Sequence, residues 1–369
     1  MRTRGRAMQR ARWGLRLWHR GFGIGAGLWL LLLALTGTAI AFYDELDRAL
    51  VPELRTIPGE FTALPRVDLA LATAQVRHPG FVPRHIDLPN RPRDSIMIIG
   101  SENGQAAQLF SDPRDGAMLG LRSSGSFAFD RRHLMDTLYA LHMDLLLGPT
   151  MAWVLGLVAL LWAIDHVPAA ILAIPRLARW WRALRVKPRG RRALYDRHRA
   201  PGLWLMPVTL MLAVSGLCLS WQEETRAVVS LVSPVSERLH YDFPDAPVPS
   251  RPIGVDRALA RVRGAGVWRV DSVQILPAKA VYAVRAFDER DLDGIGRRWI
   301  YVAMADGRIL AERHDNGSSA GDAFFAWQYP LHSGKALGLA GRALICIAGL
   351  VTASLCLTGI ALLLLRTSR

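Results

Sequence analysis

Four of the ten histidines fall at positions that recur along the chain. His19 and His198 precede apolar runs within His-Arg dipeptides, and His142 and His332 precede two others within Tyr-x-Leu-His. A neutral imidazole binds haem iron, and two imidazoles from facing helices fill both axial positions of a low-spin b-type haem. The spacing points to two such centres, His19 with His198 and His142 with His332, at opposite ends of a helical bundle. One histidine at a bilayer interface is ordinary, and duplication copies structural residues as readily as ligands. It is the matched, paired set that points to haem. Glycines beside the ligands would leave room for the macrocycle: Gly21, Gly23, Gly25 and Gly27 after His19, Gly202 after His198, and Gly148 and Gly338 beyond His142 and His332. Asp165-His166 at the far end of the second run offers a further ligand or hydrogen bond, although a polar pair closing a span is the simpler reading. His78, His85, His133, His240 and His314 lack metal-ligand spacing and read as surface or turn residues.

The elements that must hold these histidines are charge-free runs at 21–43, 145–164, 200–222 and 343–365. Each has about the 20 residues that cross a ~30 Å hydrocarbon core as helix. A chain of 369 residues that is 51% hydrophobic yet carries a formal charge of +15 fits a membrane protein with basic flanks better than a soluble globule. Seven arginines precede the first run, ten basic residues fill 176–199, and Arg366 and Arg369 follow the last run. By the positive-inside rule, both termini and the central loop are expected in the cytoplasm. The same placement argues against nucleic acid as a partner, because the arginines flank spans rather than forming a face of a soluble domain. The first run lacks an A-x-A cleavage site and reads as a retained span, not a signal peptide. Cys218, Cys346 and Cys356 all lie within runs, so no disulfide framework or C-x-x-C site is expected.

The chain also resembles itself. At an offset of 179, His19-Arg20, Gly23, Thr36-Gly37 and Glu45 align with His198-Arg199, Gly202, Ser215-Gly216 and Glu224. At 190, Tyr139-x-Leu141-His142 and Gly148 align with Tyr329-x-Leu331-His332 and Gly338, and at 188 Val67-Asp68 aligns with Val255-Asp256. The repeating unit is span, outer module, span. In the second module a helix at Val255–Arg263 is followed by alternating strands near Trp268–Leu276, Ala280–Phe287, Arg298–Met304 and Arg308–Glu312, with Ala305-Asp306-Gly307 as a hairpin turn. The first module shows a helix at Val67–Val76, strands near His85–Leu88, Ser95–Ile99 and Ala107–Phe110, and a turn at Asp112–Gly116. Pro-rich Val51–Pro65 and Phe243–Pro252 read as linkers, and each module is expected to fold by itself. A transporter built on the repeat is disfavoured, since neither broken helices nor an acid-lined path are evident.

Tyr195-Asp196-Arg197-His198-Arg199-Ala200 with Gly202-Leu203-Trp204 resembles the Y-D-x-H-R-A-x-G-L-W signature of PepSY-associated transmembrane proteins. Trp327-Gln328-Tyr329-Pro330-Leu331-His332-Ser333-Gly334-Lys335, followed by Gly338 and Gly341-Arg342, is similar to that family's approach to its last span. Leu160–Asp165 with Pro175 resembles the end of its second span, and the likeness covers nearly the whole chain. It implies a membrane α-helical bundle of four transmembrane helices with internal duplication and two periplasmic α+β PepSY-like modules. The segments are then a basic cytoplasmic N-terminus (1–20), span one (21–43), module one (44–141), span two (142–175), a basic cytoplasmic loop (176–197), span three (198–222), module two (223–331), and span four with its outer extension (332–366). Some relatives are haem b-containing reductases that release iron from ferric siderophores. The resemblance therefore implies a multi-pass protein of the bacterial inner (plasma) membrane. Two haem b groups would be held by His19, His142, His198 and His332, with Arg342 as a possible propionate contact. Electrons would pass from a cytoplasmic or quinol donor to a ferric siderophore or other ferric chelate. The alternative it leaves open is a non-enzymatic PepSY-domain membrane protein with a binding or protease-regulatory role.

Overall fold

A computed structural model describes residues 2–174, 177–186, 191–236 and 239–367. Pro175, Arg176, Arg189 and Arg369 of the sequence reading lie outside the described residues. Following the chain, α1 (Arg2–Ile40) leads into α2 (Tyr43–Leu50), α3 (Pro52–Arg55) and α4 (Val67–Arg77), then strands β1 (Phe81–Asp87), β2 (Ile96–Glu102), β3 (Gln105–Ser111) and β4 (Met118–Ser123). Helices α5 (Leu134–Asp144), α6 (Pro149–Ala173), α7 (Arg191–Trp204), α8 (Met206–Ser220), α9 (Gln222–Val229), α10 (Leu239–Asp242) and α11 (Val255–Gly264) follow. Strands β5 (Val270–Leu276), β6 (Val281–Ala286), β7 (Arg298–Ala303) and β8 (Ile309–His314) come next, and α12 (Ala320–His332) and α13 (Gly338–Thr367) end the chain. Two compact units result: a helical one from Met1–Phe42, Leu138–Ala227 and Trp327–Arg369, and a sheet-containing one from Tyr43–Thr137 and Val228–Ala326.

In the helical unit three stretches are long and apolar enough to cross a membrane, Gln9–Ile40, Pro149–Ala173 and Lys335–Leu365. A fourth is a bent pair, Ala193–Trp204 and Met206–Ser220, at 66°. The apolar run at 200–222 is thus bent, contrary to the unbroken helix the sequence suggested. Its cause is Pro207 in the first turn of α8, which has no N–H to continue the ladder of α7, reinforced by Pro201 inside α7. Helix α1 packs along α13 and α6, α6 along α8, and α13 along α7. Small residues permit the approach: a Cβ on Gly349 would meet Thr38 Oγ1 and the Ala34 carbonyl.

The helices bearing His142 and His332 are not the spans themselves. Helix α5 ends just past His142, where Leu145 (φ 55°), Leu146 (φ 61°) and Gly148 (φ 77°) turn the chain before α6 begins at Pro149. Helix α12 ends at His332, and Gly334 (φ 73°) and Gly338 (φ 56°) do the same before α13. Gly148 and Gly338 therefore serve the backbone, since their left-handed φ is one that side chains disfavour.

In the other unit all eight strands form one antiparallel sheet in the order β4-β3-β2-β1-β5-β6-β7-β8. The two outer modules were expected to fold separately; instead β1 pairs with β5, with Ile86 opposite Val273. Helices α4 and α11 contribute to one buried core that joins Val67, Ala70, Ile86, Ile98 and Leu109 to Leu259, Val262, Val273, Val284 and Ile300. Each fully buried Val, Leu or Ile side chain stabilises by about 1.5–3 kcal/mol, and here the gain is shared between the two halves of the sequence. On the sheet's flanks Val51 and Leu54 cover Phe110, so part of the first presumed linker is packed structure, and Leu239 and Phe243 pack on Val281, Ala283 and Tyr301. Arg122 on β4 is fully buried and makes a two-pronged ion pair with Asp47 of α2 at 2.8 and 3.0 Å. Gln108 and the Arg132 carbonyl take further guanidinium hydrogens, which meets the condition for tolerating a buried pair.

Candidate functional site

The four histidines come together as two pairs. The rings of His19 on α1 and His198 on α7 have centroids 6.1 Å apart, and those of His142 on α5 and His332 on α12 are also 6.1 Å apart. A metal–imidazole bond of about 2 Å on each side, with about 1 Å from each nitrogen to its ring centre, puts two axial imidazoles about 6 Å apart. Each pair joins one ring from the first half of the sequence to one from the second. The pairs are well separated: from His19 to Thr36, which touches His142, the unbroken α1 rises about 25 Å.

Every ring is held through Nδ1. His142 Nδ1 donates to the Leu33 carbonyl at 3.1 Å and approaches Thr36 Oγ1 at 3.2 Å. His332 Nδ1 lies 2.9 Å from Ser215 Oγ, and the ring also meets the Leu212 carbonyl. His198 Nδ1 lies 3.0 Å from Thr358 Oγ1, and the ring also meets the Leu355 carbonyl. Because a carbonyl only accepts, Nδ1 carries the hydrogen in His142 and Nε2 keeps its lone pair. The three hydroxyls donate backwards along their own helices, Thr36 to Leu32, Ser215 to Met211 and Thr358 to Ser354, so they face the imidazoles as acceptors. His19 differs, for its Nδ1 meets Oδ2 of buried Asp165 at 2.7 Å. Among the described residues none of the four Nε2 atoms takes a hydrogen bond. Anchored Nδ1 and unengaged Nε2 are the arrangement that orients a histidine toward a metal.

Glycine follows each hydroxyl, and the ring lies against it. A Cβ on Gly37 would stand 2.9 Å from His142 Cε1, one on Gly216 3.3 Å from His332 Cε1, and one on Gly359 3.3 Å from His198 Cε1. Leu33–Gly37, Leu212–Gly216 and Leu355–Gly359 are thus three copies of one cradle, Leu-x-x-Thr/Ser-Gly. The first two matched in the sequence comparison; the third escaped it, because it lies on span four and serves the opposite end of the bundle. Cβ atoms at Gly21, Gly23, Gly25 and Gly27 would meet no atom within 4 Å, whereas one at Gly202 would only touch Leu355 at 3.5 Å, an ordinary packing contact.

His166 uses both ring nitrogens, Nδ1 on the Trp162 carbonyl at 2.7 Å and Nε2 with Thr209 Oγ1 at 3.0 Å, so it ties α6 to α8. Arg342 donates Nε to the Ala41 carbonyl at 2.8 Å and lies over the Phe42 ring at 4.1 Å. In the sheet-containing unit the remaining histidines have local partners: His78 with Glu102, His85 with Asp87, His133 with Asp130 and His314 with Asp291. His240 is packed edge-on to Trp299 and bonded to Tyr301 Oη at 2.9 Å, and burial depresses its pKa from the usual 6.5 to about 4. Among the described residues no group of three or more His, Cys, Asp or Glu is arranged to hold a bare metal ion.

No curated protein matches the chain. The family model of the PepSY-associated TM region matches residues 16–366, nearly all of it, and with its apolar helices and its paired histidines the protein belongs to that family of membrane proteins.

Proposed function

We propose that this protein carries electrons across a bacterial inner membrane on two b-type haems and delivers them to ferric iron in the periplasm, held there in a ferric siderophore or other ferric chelate. The observation that carries this reading is the pair of 6.1 Å imidazole couples, each ring fixed through Nδ1. Two axial imidazoles leave a metal's equatorial positions to a macrocycle, and a bis-imidazole haem supplies reversible one-electron chemistry between Fe(III) and Fe(II). The chain's own part is to hold and orient. The Leu33 carbonyl, the Ser215 and Thr358 hydroxyls and the Asp165 carboxylate fix the tautomers, while Gly37, Gly216 and Gly359 let the ring edges approach the helices that carry these glycines. Arg342, held by Ala41 and Phe42, is the candidate to pair a propionate.

In this reading four spans, made by tandem duplication, place both termini and the loop at 176–197 in the cytoplasm, and the sheet is a pair of fused PepSY-like modules in the periplasm. A quinol or cytoplasmic donor feeds the His19–His198 centre, and the ferric chelate draws from the His142–His332 centre. Reduction favours release because Fe(II), less charged, is held less tightly by oxygen-rich chelators than Fe(III). The absorbance spectrum of the purified full-length protein tests the proposal. Reduced bis-histidine haem b bands at two haems per chain are the expected result; a colourless protein that takes up no added haem would leave a regulatory or binding role instead.

A further inference from the structure

Three of the four rings meet neutral acceptors through Nδ1, and the fourth meets a charge. Asp165 stands 190 residues before Leu355 in the repeat, so where the second half offers His198 a backbone carbonyl and the Thr358 hydroxyl, the first half offers His19 a carboxylate. The Asp165 side chain is 5% exposed, its Oδ2 lies 2.7 Å from His19 Nδ1, and its Oδ1 has no hydrogen-bond partner among the described residues. The charge of the carboxylate is therefore directed largely onto one imidazole. A carboxylate on Nδ1 makes a metal-bound ring a stronger donor through Nε2 and so favours the more oxidised metal. Arginines at this end of the helices act in the opposite sense. Arg199, one of the two arginines flanking His198, is however committed to Asp196 at 3.0 Å and to the Ala183 and Arg185 carbonyls. A direct hydrogen bond to a buried carboxylate outweighs solvated charges farther away.

Resting on the haem reading above, we propose that Asp165 is a positioning residue that lowers the reduction potential of the His19–His198 centre below that of the His142–His332 centre. The asymmetry directs electrons one way between two otherwise similar sites. The transfer moves one electron: iron at the first pair goes from Fe(II) to Fe(III), iron at the second from Fe(III) to Fe(II), and no proton or covalent bond is exchanged.

The test is a redox titration of the full-length protein followed by its visible spectrum. If the wild type shows no bis-histidine haem, the haem reading fails before any potential is measured. With haem present, the wild type shows two one-electron steps, and His198→Ala abolishes the lower one. Asp165→Asn keeps both haems, raises the lower step and leaves the upper one unmoved. A tenfold change in how the electron is partitioned corresponds to about 59 mV for one electron. Asp165→Glu, which keeps the charge, retains the low step, and it decides the matter if the Asn variant loses haem. Unchanged steps in Asp165→Asn, a raised lower step in Asp165→Glu, or a lower step that disappears in His332→Ala rather than His198→Ala would each overturn the proposal.

Discussion

Asp68 and Asp256 each cap the helix that carries the other. Asp256 accepts from the backbone N–H groups of Val67 and Asp68 at 2.9 and 3.2 Å, and Asp68 accepts from those of Val255 and Asp256 at 2.7 and 3.1 Å. Four N–H groups left over at two helix starts are thereby satisfied, and two carboxylates sit where helix dipoles favour negative charge. The cost is a pair of like charges: burial, then repulsion from Asp256, raises the pKa of Asp68 against the pull of its N–H partners.

Asp256→Ala should lower stability by about 1–2 kcal/mol, as loss of a cap does, because the N–H groups of Val67 and Asp68 lose their acceptor. The thermal midpoint of the full-length protein in detergent reads this out. A larger loss is expected for Gly254→Ala, whose Cβ would collide with the Asp68 carboxylate.

Replacing either partner of one histidine pair should remove one haem and spare the other. His332→Ala and His198→Ala are each expected to hold about half the wild-type haem per protein, because each site draws on a different pair of rings. Pyridine haemochrome content measures it, and full bis-histidine haem in both variants would show these rings to be structural.

The cradle glycines should differ in tolerance. An added Cβ at Gly37 would stand 2.9 Å from His142, but one at Gly216 3.3 Å from His332. Gly37→Ala must displace the imidazole, while Gly216→Ala needs a shift of only a few tenths of an ångström. Haem retention during dilution should therefore fall more in Gly37→Ala than in Gly216→Ala.

Acid should weaken the sheet through His240. Its folded pKa, about 4, lies below the ordinary 6.5, so between these values the unfolded chain binds the extra proton and stability declines as pH falls. His240→Gln should flatten the loss of thermal midpoint between pH 6.5 and 4.5 relative to wild type. An identical pH slope in the variant would remove His240 from the account.

What was legible in the chain follows from which interactions are local. Alternating β-branched and aromatic residues located β5 to β7 to within two residues, because the buried face is written into every second position. Strand β4, Met-Leu-Gly-Leu-Arg-Ser, has no β-branched residue and escaped notice; its place is set by pairing with β3 and by the buried Arg122. The β1–β5 seam was invisible for a related reason, since strand edges carry no residue-specific mark. The histidine pairs were readable because matching motifs carry them at fixed offsets, whereas Asp165 has no counterpart in that matching and the cradle at Leu355–Gly359 falls outside its register. The bend in the third span was present as Pro201 and Pro207, but hydropathy alone does not register it.

The order of synthesis is written into the same cradles. His198 rests on Thr358 and Gly359 near the end of α13, and the partner of His142 is His332, which immediately precedes that helix. The His19–His198 couple is therefore not supported until α13 has been made, whereas both rings of the His142–His332 couple and their cradles precede that helix. A chain truncated before α13 keeps the supports of His142 and His332 but leaves His198 without Thr358 and Gly359, so the two ends of the bundle mature in sequence, the His19–His198 end last.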